Sequence, residues 1–174
     1  WEEKTLPEIS MNLDNKRIPI TKSKRAQGKI PYYGASGVVD YVKDWIFDDD
    51  LLLVSEDGAN LLMRTYPIAF NVSGKCWVNN HAHILKFKDK KLQYWVKKYL
   101  NSIDLSEHIT GMAQPKLNQS KLNIIKIPVP NSSIEGLITK IKSFEESFEL
   151  LELQIHKKKE LMNSLKVSFL KKIL

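Results

Sequence analysis

The feature that most restricts the fold of this chain is a heptad repeat in its C-terminal region. Apolar residues occur every seven positions, at Ile134, Ile141, Phe148, Ile155, Met162 and Phe169. A companion set three positions later is apolar at four of its six positions. A repeat sustained over several heptads is typical of a coiled-coil helix. We therefore predict one long helix, capped by Asn131, Ser132 or Ser133, with Glu135 spaced to form a capping box with Ser132.

This predicted helix has an apolar face that is too wide to stay exposed to water alone. No other segment of the sequence is long enough to pair with it, so the partner must be a second copy, another protein or a further part of a longer chain. We expect an antiparallel or irregular pairing, because Phe rings fit the holes of a simple zipper poorly. The predicted contact residues are Ile141, Phe144, Phe148, Leu151, Ile155, Met162 and Leu165.

Residues 1–130 show the mixed pattern of a strand-rich globular domain. The runs LQYWVKKYLNS, LPEIS and DLSEHI have helical character. Pro128 and Pro130 end the last predicted strand, and Trp77, Trp95 and Leu51–Val54 are predicted core. Strands are predicted at KRIPI, KIPYYG, LLLV, PIAFNV, CWVNNHAHILKFK and LNIIKIPVP. The predicted fold class is α/β (α+β): a strand-rich domain over residues 1–130, followed by a coiled-coil helix over residues 131–174.

The bulk composition favours a soluble protein with a polyanionic partner. The chain of 174 residues carries 27 Lys+Arg against 20 Asp+Glu, with a formal net charge of +7. Charge alone fits a merely soluble basic protein about as well. The single Cys76 excludes an internal disulfide and fits a reducing compartment. We find no membrane segment and no leader, and expect a cytoplasmic protein. Because the chain begins at Trp1 rather than Met, we also expect that it is a fragment or a trimmed form.

The sequence offers no catalytic motif. Glycine-rich nucleotide loops, a methyltransferase tetrad and a nucleophile elbow are all missing, so we expect no catalytic residue and no cofactor. The acids Asp48–Asp50, Glu56 and Asp57 resemble a metal-nuclease pattern only weakly, although Glu56 or Asp57 could accept a hydrogen bond from a cytosine amino group. A zinc site at Cys76, His81 and His83 is conceivable but short of ligands.

Two stretches suit contact with nucleic acid. The segment from Asn15 to Tyr33 holds six cations and no acid, a composition that suits phosphate contact. The segment GMAQPK offers Gln114 and Lys116, which can reach base edges or phosphates. A solvated basic loop and an ordinary turn remain the alternatives at this point.

Four blocks of sequence, in order, resemble one known family. These are the opening WEEKTLPEI, then GKIPYYGASGVVDYVKDWIFDDDLLLVSEDGANL, then PIAFNVSGKCWVNNHAHIL, and then TGMAQPKLNQSKLNIIKIPVP before the long helix. They are similar to the target recognition domain and conserved helix of the specificity (S) subunit of type I restriction-modification systems. The resemblance implies a non-catalytic module that binds one part of a bipartite target in double-stranded DNA.

The resemblance also implies partners. A complete S subunit carries two such units whose helices pack antiparallel as a spacer, and it works with methyltransferase (modification) subunits and a restriction subunit. This chain has one unit, so it resembles a half-subunit or half of a longer one. Two alternatives are a specificity module of a fused type II enzyme and, in another functional class, a coiled-coil adaptor that binds protein.

The residues that recognise the target sequence vary between members of this family. The resemblance therefore indicates which loops contact DNA, but not which residues do. Within those loops we predict phosphate contacts at Lys22, Lys24, Arg25 and Lys116. For base or groove contacts we select Tyr32, Ser36, Asn60, Arg64, Asn80, His81 and Gln114.

Overall fold

The computed structural model of the chain describes residues 1–111, 113–131 and 133–173, and within them all side chains except those of residues 168 and 170–173. The chain divides into two compact units, Trp1–Ser132 and Ser133–Leu174. The described part of the first unit forms β1 Glu2–Thr5, α1 Leu6–Ile9, β2 Met11–Asn12, β3 Gln27–Gly34, β4 Gly37–Val42, β5 Phe47–Asp48, β6 Leu51–Ser55, α2 Asn60–Met63, β7 Ala69–Val72, β8 Lys75–Val78, β9 Ala82–Lys86, α3 Lys90–Ser102, α4 Gln119–Asn123 and β10 Lys126–Val129.

An antiparallel sheet of order β2-β9-β6-β7 forms the centre of the first unit. Leu51 and Leu53 of β6 belong to one apolar cluster, and Leu52 and Val54 belong to another. Successive side chains of a strand point to opposite faces. The continuous apolar run at β6 therefore reflects burial on both faces of the sheet, and the prediction of a buried strand is confirmed.

A second sheet has the order β4-β3-β8-β5 and pairs β3 with β8 in parallel. Strands β3 and β4 form a hairpin whose turn includes Ala35 and Ser36. The predicted strand at KIPYYG is confirmed. The third sheet contains only β1 and β10, in which Glu2 lies opposite Val129.

Helix α3 confirms the predicted amphipathic helix. Asp89 caps it by accepting a hydrogen bond from the Lys91 amide at 2.8 Å, and Val96 and Leu100 are fully buried in one core cluster. The indole of Trp95 packs beside that cluster and donates to the Pro128 carbonyl at 2.6 Å.

Two strand predictions for the first unit were wrong, and one helix was not predicted. The run KRIPI forms no strand: Lys16 ends a 3-10 turn, and residues 17–20 have no regular structure. Pro19 has no N–H to donate to a neighbouring strand, and the Arg17 side chain is held by Glu56. The run from Cys76 to Phe87 is two strands, β8 and β9. Helix α4, capped by Asn118, was missed because its polar sequence resembles a loop.

The second unit is the single helix α5, Ile134–Ile173, as the heptad pattern predicts. The Ser133 hydroxyl accepts a hydrogen bond from the Glu135 amide at 3.2 Å, whereas the alternative cap Ser132 lies outside the described residues. Phe144, Phe148 and Leu165 on the heptad seam are each more than 60% exposed in the single chain. None of the described helices is long and apolar enough to cross a membrane.

Candidate nucleic-acid interface

A buried charged cluster lies beneath the loops of the first unit and consists of Asp14, Arg17, Glu56 and His83. The Nδ1 atom of His83 lies 2.6 Å from a carboxylate oxygen of Asp14, and its Nε2 atom lies 2.7 Å from the Leu117 carbonyl oxygen. Arg17 donates to Glu56 at 2.5 Å and lies 3.6 Å from Asp14. All four side chains are at most 15% exposed, so these ion pairs are only weakly screened by solvent.

The charges of this cluster are balanced within the protein. Ligand atoms of Asp14, Glu56 and His83 lie within 4.8 Å of one another, close enough for a shared cation. However, Arg17 already donates to Glu56, and Lys116 approaches its other oxygen at 3.1 Å. Since both His83 nitrogens also face acceptors, we interpret the group as a structural ion-pair network.

The zinc alternative at Cys76, His81 and His83 is not supported by the geometry. Cys76 is buried in the core cluster between the two sheets, where burial raises its pKa to about 11. His81 lies in the turn before β9 and is exposed, whereas His83 is fully buried. The strand begins only at Ala82, so the two histidines do not lie on one face of a strand.

The buried charged cluster should make the stability of the first unit sensitive to acid. Burial alone would raise the pKa of Asp14 and of Glu56, but hydrogen bonds and charge from His83 and Arg17 bring both below their ordinary values. The two carboxylates therefore make their full contribution to the free energy of unfolding at pH values above ordinary carboxyl pKa values, roughly 4. That contribution is lost as the pH falls through the lower folded values, because the unfolded chain then binds more protons.

We expect the free energy of unfolding in urea to decrease as the pH is lowered below about 4. Tryptophan fluorescence reports it, since all four tryptophans lie in the first unit. Exposed carboxylates also contribute to the decrease in the free energy of unfolding at low pH. We therefore compare the wild type with Glu56→Gln, in which this decrease should be less steep. An equally steep decrease in Glu56→Gln would contradict the assignment.

Three loops converge above the buried charged cluster. The turn at Ser36 is held by the Ser55 hydroxyl, which donates to the Ala35 carbonyl at 2.5 Å. The loop at Asn80 follows Asn79, whose amide donates to the Tyr33 carbonyl at 3.0 Å. Ser36 and Asn80 are both exposed. Two of the predicted contact residues therefore lie on neighbouring turns at one end of the sheets.

The third loop, whose described residues are 110, 111 and 113–116, completes a surface cleft with a volume of about 410 Å³. The amide of Gly58 donates to the Pro115 carbonyl at 3.0 Å, and Leu117 donates to the Glu56 carbonyl at 2.8 Å. We call this the Asp57 cleft. It is lined by Asp57, Gly58, Ala59, His81, Ala113, Gln114, Pro115 and Lys116, and so brings together three predicted contact residues from two distant parts of the sequence.

Backbone conformation at Gly111 shapes this loop. Its φ of +79° lies in the left-handed region, and a Cβ atom there would meet the Gln114 carbonyl oxygen at 2.6 Å. Both the positive φ and the close carbonyl oxygen require glycine at this position. The glycine in the segment GMAQPK therefore sets the bend that carries Gln114 to the cleft.

The basic segment near residue 20 divides into free and anchored cations. Lys22 and Lys24 are exposed on a short 3-10 turn. Arg25 instead donates to Asp40 at 3.0 Å and to the Ile20 carbonyl at 3.1 Å, with its guanidinium 4.4 Å from the Tyr32 ring centroid. We therefore correct the expectation that Arg25 is a free phosphate ligand.

Tyr32 requires a correction as well. It is 1% exposed, and its hydroxyl accepts a hydrogen bond from the Ile20 amide at 3.0 Å. A side chain buried to this degree does not contact a base. The alternation of β3 turns it inward, so it belongs to the support of the basic segment.

Asn60 and Arg64 are also engaged inside the unit. The Asn60 amide group pairs with both backbone polar groups of Tyr66, at 2.8 and 3.0 Å. Arg64 has a φ of +53° and donates to the carbonyls of Leu100 and Ile103, which are free at the end of helix α3. Both were predicted to contact bases, but in this structure they close a loop and cap a helix.

Comparison with known proteins places this geometry in a family. The family model described as type I restriction modification DNA specificity domain matches residues 1–167. A curated protein of Haemophilus influenzae, whose name describes a type I restriction enzyme specificity subunit, is 36% identical over 140 residues. That match covers 80% of this chain and 36% of the relative, so the chain spans about a third of the relative's length.

Solved structures share the fold at low sequence identity. An S subunit of a type I restriction-modification system from M. genitalium gives a TM-score of 0.50 at 18% identity, covering 87% of this chain and 42% of that chain. The HsdS subunit from Thermoanaerobacter tengcongensis gives 0.58 at 13% identity, covering 86% and 38%. A chain from a structure on assembly and conformational transition of the type I R-M system gives 0.63 at 13% identity, covering 87% and 40%.

These matches confirm the resemblance of the four sequence blocks and the α+β fold with a long C-terminal helix. The family match extends over the strands, the cleft loops and most of helix α5. The chain belongs to the type I restriction modification DNA specificity domain family.

Proposed function

We propose that this chain recognises one part of a bipartite sequence in double-stranded DNA and performs no catalysis itself. The observation that carries the proposal is the convergence of three polar loops at one end of a domain that belongs to a DNA specificity family. The exposed polar residues there are Ser36, Asn80, His81, Gln114 and Lys116.

In this proposal residues 1–130 are the target recognition domain, and residues 131–174 are the spacer and dimerisation helix. The helix pairs with the equivalent helix of a second copy or a second half-unit in antiparallel orientation. Support comes from the large apolar side chains that line its seam and are exposed in the single chain. Methyltransferase and restriction subunits are the proposed enzymatic partners, since the family serves type I restriction-modification systems.

The exposed lysines of the basic segment provide a test by salt titration. Replacing Lys22 and Lys24 together by Ala should weaken DNA binding about equally for all sequences. It should also reduce the slope of log affinity against log salt by about two, since each phosphate contact contributes roughly 0.9. Binding is measured with the assembled complex, because a single module binds weakly without its paired unit.

The matched control replaces two lysines on another part of the first unit. Lys86 and Lys90 pair with Asp49 and Asp50, and their replacement by Ala should leave the slope nearly unchanged. An unchanged slope in the Lys22/Lys24 variant, or an equal decrease in the control, would show that the basic segment is not the DNA-facing surface.

A further inference from the structure

The Asp57 cleft contains a histidine–carboxylate pair. The Nδ1 atom of His81 lies 3.0 and 2.8 Å from the two carboxylate oxygens of Asp57. The side chains are 49% and 31% exposed, so the pair is open to a ligand. Among the described residues, none hydrogen-bonds the Nε2 atom of His81.

The carboxylate fixes the chemistry of the imidazole. A carboxylate only accepts hydrogen bonds, so the Nδ1–H of His81 must donate to Asp57. In the neutral ring this leaves Nε2 as an acceptor, because the partner of one ring nitrogen sets the proton position on the other. The pair therefore offers two kinds of acceptor, the Nε2 atom of His81 and the remaining lone pairs of the Asp57 carboxylate.

The walls of the cleft are fixed before any ligand arrives. The Glu56 amide donates to the His81 carbonyl at 2.9 Å, and Asp57 forms an isolated β-bridge with Lys116. Glu56 is itself only 8% exposed and is held by Arg17. A site supported in this way keeps its geometry at little entropic cost on binding.

We propose that the Asp57–His81 pair reads one exocyclic amino group in the major groove, the N4 amino group of cytosine or the N6 amino group of adenine. This inference rests on the proposed function. In the major groove the amino groups are the hydrogen-bond donors, whereas guanine and thymine present the acceptors O6, N7 and O4. A keto base would place its acceptor oxygen opposite the Nε2 atom of His81 and the Asp57 carboxylate. These acceptors would then stay without a hydrogen bond, which disfavours the keto base strongly.

A pair of isosteric substitutions isolates the Nε2 atom. Asn in place of His81 keeps a donor near the position of Nδ1 but removes the group at Nε2, whereas Gln places an amide near the position of Nε2. The readout is the set of methylated sequences in cells that express the natural subunit with its methyltransferase partner. Sequencing of that set also distinguishes cytosine from adenine at the position concerned.

We expect the wild-type complex to methylate a defined sequence with adenine or cytosine at one position that becomes degenerate in His81→Asn. Discrimination there should fall about 10- to 100-fold, the usual effect of one good base contact. His81→Gln should keep the preference in part, and Asp57→Asn should alter it at the same position. The salt slope of binding should stay unchanged in all three variants, because no phosphate contact is lost.

His156→Asn serves as the control, since His156 lies off the heptad seam on helix α5 and outside the first unit. An identical methylated sequence in wild type, His81→Asn and Asp57→Asn would overturn this inference while leaving the proposed function intact. Absence of any defined sequence in the wild-type complex would overturn both. A loss of discrimination spread over several base pairs, with no single pair affected, would overturn the assignment to one amino group.

Discussion

Replacing Phe148 and Ile155 together by Glu should abolish pairing of helix α5. The two positions are one heptad apart on the seam and are 64% and 45% exposed in the single chain. In a paired helix each would bury an uncompensated carboxylate, which costs several kcal/mol. The association should therefore weaken by at least about a thousandfold, since 1.4 kcal/mol corresponds to a factor of ten. Sedimentation velocity of the chain measures the change from paired to single species.

The matched control carries two glutamates with the same spacing on another face of the helix. Lys157 and Ser164 lie one heptad apart and off the seam, so their replacement by Glu should preserve pairing. A Phe148/Ile155 variant that sediments as the same paired species as the wild type would exclude the seam as the pairing surface. Circular dichroism of both variants distinguishes loss of pairing from loss of helix.

Replacing Arg17 by Met should destabilise the first unit by about 3–5 kcal/mol, the usual cost of breaking a buried ion pair from one side. The substitution leaves Glu56 and Asp14 buried near each other with one cation fewer, and their side chains are only 10% and 6% exposed. Unfolding in urea, followed by tryptophan fluorescence, measures the loss.

Two further variants test whether charge is the cause. Adding Glu56→Gln to Arg17→Met removes the carboxylate that has lost Arg17 and should restore at least half of the lost free energy. Lys86→Met breaks an exposed pair with Asp49 and should cost little. A loss in Arg17→Met no larger than in Lys86→Met would contradict the role of the buried charged cluster.

The elements that the sequence predicts correctly are those with a local pattern. The heptads of α5, the helical spacing of α3 and the apolar run of β6 each depend on neighbouring residues, so they can be found without tertiary information. KRIPI failed because its apolar residues suggested a strand while Pro19 and the anchored Arg17 prevented one. Such conflicts between local propensity and long-range contacts are resolved only in the folded chain.

The candidate site is less predictable because its parts are distant in sequence. Glu56, His83 and Lys116 meet only after three sheets and several loops have formed. The sequence does indicate which segments are rich in cations and amides. It does not indicate which cations remain free. Lys24 and Arg25 are adjacent in sequence, yet Lys24 is exposed and Arg25 is held by Asp40.

The pairing of β1 with β10 brings the two ends of the first unit together. Glu2 lies opposite Val129 in that ladder, so the polypeptide enters and leaves the first unit at neighbouring points. A segment whose two ends are adjacent can be exchanged as a cassette with little disturbance to what flanks it. Exchange of residues 2–129 as one segment would therefore replace every described loop of the cleft in a single step and leave the sequence of helix α5 unchanged.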